Sequence, residues 1–240
     1  SYGLYKKGKD FTSVHNQSFK ISVNDVLNTS LIQLNAQFHK PSEFNVNKEN
    51  TKLWDVVKIN DVVDKIFYPG RFERAYVEYF PGAVPFYGGK EIIQMVVDST
   101  KWISPNHPKL KELEVKKGWI LITRSGTTGI VSIVPEAWDG YAMSEHVIRI
   151  IPNEKKLNSS YLLAFLKTKY CQDLISKGVY GSVIDSITPQ FIGDIEVRIP
   201  KNNNLLKKII DKTSNSENRR NESLMLSHES ITILNESLMN

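Results

Sequence analysis

Residues 118–129, GWILITRSGTTG, constrain the fold of this 240-residue chain more than any other stretch. Positions 119–123 are an unbroken run of apolar and β-branched residues, the pattern of a strand buried on both faces. The run ends abruptly in Arg124, Ser125, Gly126, Thr127, Thr128 and Gly129, so a core strand delivers a small polar loop to the surface. Glycines let the backbone approach a partner closely, and the loop carries N–H groups, three hydroxyls and one guanidinium suited to an anion such as phosphate. The plainer reading is a hairpin turn joining 120–123 to 130–134. It is no Walker A loop, for it lacks Gly-Lys-Ser/Thr, and no dinucleotide fingerprint, for no helical pattern follows Gly129.

On either side the pattern is strand-rich. Segment 53–66 has a mixed apolar pattern, a short helix or strand leading into a second, broken by Tyr68, Pro69 and Gly70. Strands are predicted over 76–80, 131–134, 141–143 and 146–151, with turns at Pro81-Gly82, Pro135, Asp139-Gly140 and Pro152-Asn153. Residues 159–177 have helical spacing, as one helix or two abutting ones, with Ser159 and Ser160 at the N-cap. A second loop follows over 178–187, with Gly181 and Ser182 at its tip. Thr188 then caps a single turn that has Pro189 at its first position, and a last strand runs over 195–199 up to Pro200. Upstream, a hairpin is predicted within 1–22, a turn capped by Asn24, an alternating stretch over 31–38, and a polar break to Lys52. The expected fold is a mixed, strand-rich α/β (α+β) domain over 53–200, with an N-terminal segment and linker over 1–52 and a long helix over 201–240.

That tail has no proline or glycine after Pro200, and Leu206, Ile210, Leu224, Ile231, Leu234 and Leu238 keep an approximate heptad step. A continuous helix over 204–240 reaches about 55 Å, at about 1.5 Å per residue. It cannot bury both flanks on its own domain, so a partner helix is expected along these positions. The polar run 213–222 leaves a bent or frayed tail as the alternative.

Net charge is +5, yet residues 53–200 hold 18 basic against 17 acidic residues, so a polyanion-binding face must come from local arrangement. Residues 90–124 carry seven basic residues against four acids. The loop-rich stretch before them mixes Arg71, Arg74 and Lys90 with Phe72, Tyr76, Phe86 and Tyr87, either a nucleic-acid surface or core aromatics beside solvated cations. Cys171, the only cysteine, reads as a buried small hydrophobe, and its solitude fits an intracellular, reducing compartment without disulfide or thiol zinc site. No segment suits a membrane span, and the start at Ser1 fits a processed, tagged or excised chain. The Asn/Asp-Pro-Pro-Tyr/Phe loop of an adenine methyltransferase and the Gly-x-Ser-x-Gly of a hydrolase are absent. Glu114-Val-Lys116 has the acid-x-Lys form of a metal-dependent nuclease but lacks the upstream acid, and His146 beside Glu145 reads as a strand-end histidine.

Taken in order, ILITRSGTTGIVSIVPE, SEHVIRIIP, NSSYLLAFLKTKYCQDLIS, YGSVIDSITPQFIGDIEVRIP and the closing SITILNESLM resemble the target recognition domain and spacer helix of type I restriction-modification specificity (S) subunits. LIQLNAQFHKPSEF and AVPFYGGKEI look like that family's entry strand and first recognition region, whereas residues 1–27 match nothing in it. The resemblance implies a cytoplasmic, non-catalytic module reading one half of a bipartite double-stranded DNA target. Spacer helices would pair antiparallel and dock methyltransferase and restriction subunits, and S-adenosylmethionine would belong to the methyltransferase. A complete S subunit has two recognition domains, and this chain has one. A half-subunit pairing with a copy of itself, a fragment, and the recognition end of a fused methyltransferase-endonuclease all stay open, beside a scaffold that binds no DNA. The residues expected at DNA are Arg71, Arg74, Lys90, Lys116, Lys117, Arg124, Ser125, Thr127, Thr128, Lys177, Tyr180 and Ser182, with no metal site.

Overall fold

In the computed structural model, which describes residues 20, 22–24, 52–94, 99, 101–179 and 186–239, the apolar run 120–123 is an interior strand of a four-stranded sheet. The chain divides into two compact units, Ser1–Asn45 and Val46–Asn240, of which the second holds every element below. The expected hairpin within 1–22, the turn from Asn24 and the strand over 31–38 fall on the first unit and lie almost wholly outside the described residues.

The mixed pattern of 53–66 resolves into β1 (Trp54–Lys58), one helical turn α1 (Ile59–Val62) and β2 (Val63–Phe67). Short strands follow, β3 (Tyr76–Val77), β4 (Val84–Tyr87) and β5 (Trp102–Ile103), then the turn α2 (Leu110–Leu113). The strand expected over 76–80 stops at Val77 because β5 offers only two residues to pair with it. The hairpin of β6 (Ile120–Thr123) and β7 (Val131–Ile133) is as the sequence suggests, and β8 (Ala142–Met143) and β9 (Val147–Pro152) come next.

Residues 159–177 form two helices, α3 (Ser159–Leu166) and α4 (Lys169–Lys177), split where the Thr168 side chain accepts from the Cys171 N–H and restarts the helix. The first cap is Asn158 rather than Ser159 or Ser160, since the Asn158 side chain accepts from the Ser160 N–H while the Glu154 carboxylate takes the Ser159 N–H. Thr188 caps α5 (Pro189–Asp194) through the Phe191 N–H, with Pro189 in the first turn as expected. Then come β10 (Glu196–Pro200) and the helix α6 (Asn203–Met239).

Antiparallel strands in the order β2-β9-β6-β7 form the central sheet. A second sheet has the order β3-β5-β4-β8, its last pair parallel, and β1 pairs with β10 to join the two ends of the domain. Ile120, Ile122, Ile148 and Ile150 face one side of the central sheet, against Leu162, Leu163, Leu166 and Ile175 of the helices. Leu121 and Val147 face the other way, toward Tyr87, Met143 and Trp138.

Arg149 of β9 shares that second face and is fully buried. Its Nη1 donates to the Ser144 and Val147 carbonyls at 3.0 and 2.6 Å, and its Nη2 to those of Leu113 and Met143 at 3.1 and 2.6 Å. Desolvation pulls its pKa down to about 9, the nearby Glu145 charge opposes that fall, and the side chain is still a cation at neutral pH. One guanidinium thereby fastens the central sheet to β8 and α2 of the neighbouring layer.

The long helix is continuous, and its polar middle grips the domain instead of fraying from it. Arg220 donates to the Ile92 and Ile133 carbonyls at 3.1 and 3.4 Å and lies 5.3 Å above the Trp138 ring, while Glu217 pairs with Lys167 at 2.9 Å. The expected partner-helix stripe is divided by this docking. Leu206 and Ile210 pack on the helix-side core and Leu224 is buried beside Trp138, so these three serve their own domain. Ile231 lines a groove of about 450 Å³ against Trp138 and Tyr141, and Leu234 and Leu238 are exposed.

Two outcomes follow from the packing. Arg149→Met strands four buried carbonyls and should lower stability by about 3 kcal/mol or more, with Arg149→Lys recovering only part, as read by urea unfolding. Burial pushes the Cys171 thiol up to about 12, so native protein at neutral pH should resist alkylation at Cys171 and denatured protein should react quickly.

Candidate nucleic-acid interface

The loop between β6 and β7 is held shut by the last residue of β6. The buried Thr123 Oγ1 donates to the Thr127 carbonyl at 2.5 Å and accepts from the Ile130 N–H at 2.9 Å, while the Thr123 carbonyl accepts from the Gly129 N–H at 2.9 Å. Gly129 has φ +86°, and a Cβ there would meet Ile175 Cγ2 of α4 at 3.0 Å. Only glycine satisfies both the left-handed backbone and the close approach. The loop therefore projects Arg124, Ser125, Thr127 and Thr128 from a fixed base, with Thr127 exposed and the other three partly so.

Arg124 is stacked over the Tyr68 ring at 4.1 Å, and its buried Nε has no hydrogen-bond partner among the described residues. A flat cation on an aromatic face keeps a defined plane without an acid to neutralise it. Ser125 Oγ lies 2.6 Å from His146 Nδ1, and Arg74 Nη2 lies 3.0 Å from His146 Nε2 and 2.6 Å from Glu145 Oε1. The other carboxylate oxygen, Glu145 Oε2, is buried with no hydrogen-bond donor among the described residues.

The second loop starts and ends beside the first. Ser186 forms a β-bridge with Ser125, and the Ile187 N–H donates to the Arg124 carbonyl at 3.1 Å. At the other flank Gly178 closes α4 so tightly against Phe191 of α5 that a Cβ on it would lie 2.0 Å from the ring. Lys177 ends α4 within a turn of Ile175, the residue touching Gly129. Tyr180 and Ser182, both expected at DNA, lie outside the described residues.

The remaining sequence-derived candidates separate. Lys90 is exposed beside Gly89, whose backbone packs on the Thr123 methyl, so it joins the loop cluster. Arg71 is exposed, and its carbonyl accepts from Lys109 Nζ at 3.5 Å. Lys116 and Lys117 sit at the opposite end of β6 from the loop, paired with Glu114 at 3.6 Å and Glu136 at 2.7 Å, and they do not converge with Arg124. Tyr68, Glu145 and His146 were missed as site residues. Glu145 and His146 are adjacent in sequence, but nothing local announces a contact to Ser125 across 21 positions. Among the described residues no group of His, Cys, Asp or Glu is arranged to hold a metal ion, and no helix is long and apolar enough to cross a membrane.

Residues 51–226 match the family described as the type I restriction modification DNA specificity domain. The chain belongs to that family. In fold, this specificity domain is similar to a chain from a study of complex assembly and conformational transition in a type I restriction-modification system, with TM-score 0.51 and 16% identity over 82% of this chain and 45% of that one. It also matches the S subunit from M. genitalium (TM-score 0.47, 15% identity, 73% of this chain and 41% of that one). A further match is the HsdS subunit from Thermoanaerobacter tengcongensis (TM-score 0.49, 15% identity, 79% and 45%). The specificity domain thus spans less than half the length of each of these chains. No curated protein sequence matches it.

The loop of the specificity domain should be intolerant at its base. Gly129→Ala combines a left-handed backbone, roughly 1–2 kcal/mol for a residue with a Cβ, with the Ile175 contact, and its melting temperature should fall measurably.

Proposed function

We propose that this specificity domain binds double-stranded DNA through the joined bases of its two loops and reads one half of a bipartite target for a partner methyltransferase. The observation that carries this reading is the backbone pairing of Arg124 and Ser125 with Ser186 and Ile187. It joins the base of a closed, glycine-shaped tip to the residues that lead out of the second loop, with Arg124 over the Tyr68 ring beside that junction. A guanidinium held over an aromatic ring suits bidentate contact with guanine O6 and N7, and Lys90, next in sequence to Gly89, and Lys177, at the end of α4, suit phosphate contacts that set register.

The long helix serves as the spacer in this reading. Docked by Leu206, Ile210, Glu217, Arg220 and Leu224, it leaves Leu234 and Leu238 exposed for a second spacer helix, from a longer chain or another copy. Catalysis, S-adenosylmethionine and any restriction activity belong to partner subunits.

The test is binding of duplex DNA by the chain together with its methyltransferase. Affinity should fall steeply as salt rises, because phosphate contacts release counterions. Arg124→Ala should weaken binding or broaden site preference by about 1–3 kcal/mol at one base pair. Salt-insensitive binding together with an unaltered Arg124→Ala site preference would remove the loop from the interface.

A further inference from the structure

The contacts around His146 fix where its proton sits, and through it which way the Ser125 hydroxyl faces. Arg74 Nη2, 3.0 Å from His146 Nε2, has only donors to offer, so Nε2 must be the unprotonated, accepting nitrogen. A proton on Nε2 would oppose two donors at that distance, and a doubly protonated ring would add a like charge. Glu145 Oε1 is no rival partner for such a proton, as it is 3.5 Å from Nε2 and already takes Arg74 at 2.6 Å. A neutral imidazole with Nε2 bare carries its proton on Nδ1, and Nδ1 is 2.6 Å from Ser125 Oγ. Ser125 Oγ is therefore the acceptor in that bond. Its own hydrogen is left over, and no other described residue bonds that oxygen.

We infer that Ser125 meets DNA as a hydrogen-bond donor, its polarity set by His146, which is itself held by the Arg74–Glu145 ion pair. The inference rests on the proposed DNA-reading function and makes His146 a positioning residue rather than a contact. Arg74, expected at DNA from its sequence setting, serves inside the network, with its charge offset by Glu145. A donor at this place takes acceptors: a phosphate oxygen, or in the major groove guanine N7 or O6, adenine N7 or thymine O4. The hydrogen it donates cannot be taken by the amino groups of cytosine N4 and adenine N6, which are donors themselves, although the second lone pair of Oγ is still open to accept.

Two measurements test this. The first needs no DNA: ¹⁵N chemical shifts of the histidine rings in the full chain, in mildly alkaline buffer, with His146 assigned by its loss in His146→Gln. The expected result is a protonated Nδ1 and a bare Nε2, and a proton on Nε2 overturns the inference. The second selects binding sites from a duplex library, using the chain assembled with its methyltransferase. Ser125→Ala should lose about 3- to 10-fold in affinity. Loss confined to one base pair identifies a base acceptor, and an even loss across all sites identifies a phosphate oxygen. His146→Ala should behave like Ser125→Ala, whereas His146→Asn, whose amide N–H can replace Nδ1–H, should restore much of the effect. An unchanged Ser125→Ala, a preference for an amino-bearing edge at that pair, or equal behaviour of His146→Ala and His146→Asn overturns it. A wild-type assembly that binds no DNA removes the proposed function and this inference together, whereas a proton on Nε2 in an assembly that does bind removes this inference alone.

Discussion

The architecture depends on one buried cation. Arg149 stands where the alternation of β9 demands an apolar residue, between Ile148 and Ile150, and it is tolerated there because four carbonyls from two layers accept from its two terminal nitrogens. Three of those carbonyls bracket the short passage between β8 and β9 that carries Glu145 and His146: Ser144 lies within it, and Met143 and Val147 are the strand residues at its two ends. The same bonds that fasten two sheets therefore fix the backbone from which the site histidine springs. Glu145 completes the link, for its carboxylate holds Arg74 at the surface while its charge favours the cationic form of Arg149 inside.

The helix–domain contact follows a related logic. A segment as polar as 213–222 looks unfit for docking if only apolar area is considered. Here Arg220 reaches two carbonyls and an aromatic face, and Asn221 accepts from the Ala137 N–H at 3.4 Å. Burial lowers the Arg220 pKa, with Glu217 opposing the shift, so the group remains a cation that bridges helix and domain. Direction comes from these polar contacts, and most of the apolar grip comes from Leu206, Ile209, Ile210 and Leu224.

Much of this was legible in the sequence wherever the information was local. The run 120–123, the Thr188-Pro189 start of α5 and the proline-free tail each declare themselves within a few residues, because periodicity and capping are short-range effects. What was not legible depends on distant partners. Whether residues 78–80 continue a strand was decided by the two-residue length of β5, and the inward turn of Leu224 by Trp138, which is distant in sequence but packed in the same cluster. Arg74 reads as a solvent-facing cation until Glu145 is placed beside it, and Lys116 and Lys117 read as neighbours of Arg124 until the strand between them is extended. His146 was noticed for the residue next to it, and its role came from Ser125, which only the antiparallel pairing of β6 and β9 brings within reach.

The clasp made by Thr123 uses the carbonyl of Thr127 and the amides of Gly129 and Ile130, and none of the side chains at 124, 127 and 128. Those three positions are letters set in a frame that does not depend on which letters are chosen. Exchange at the tip costs the scaffold little, so in the proposed DNA-reading role new specificities are open to the chain without any need to evolve a new fold.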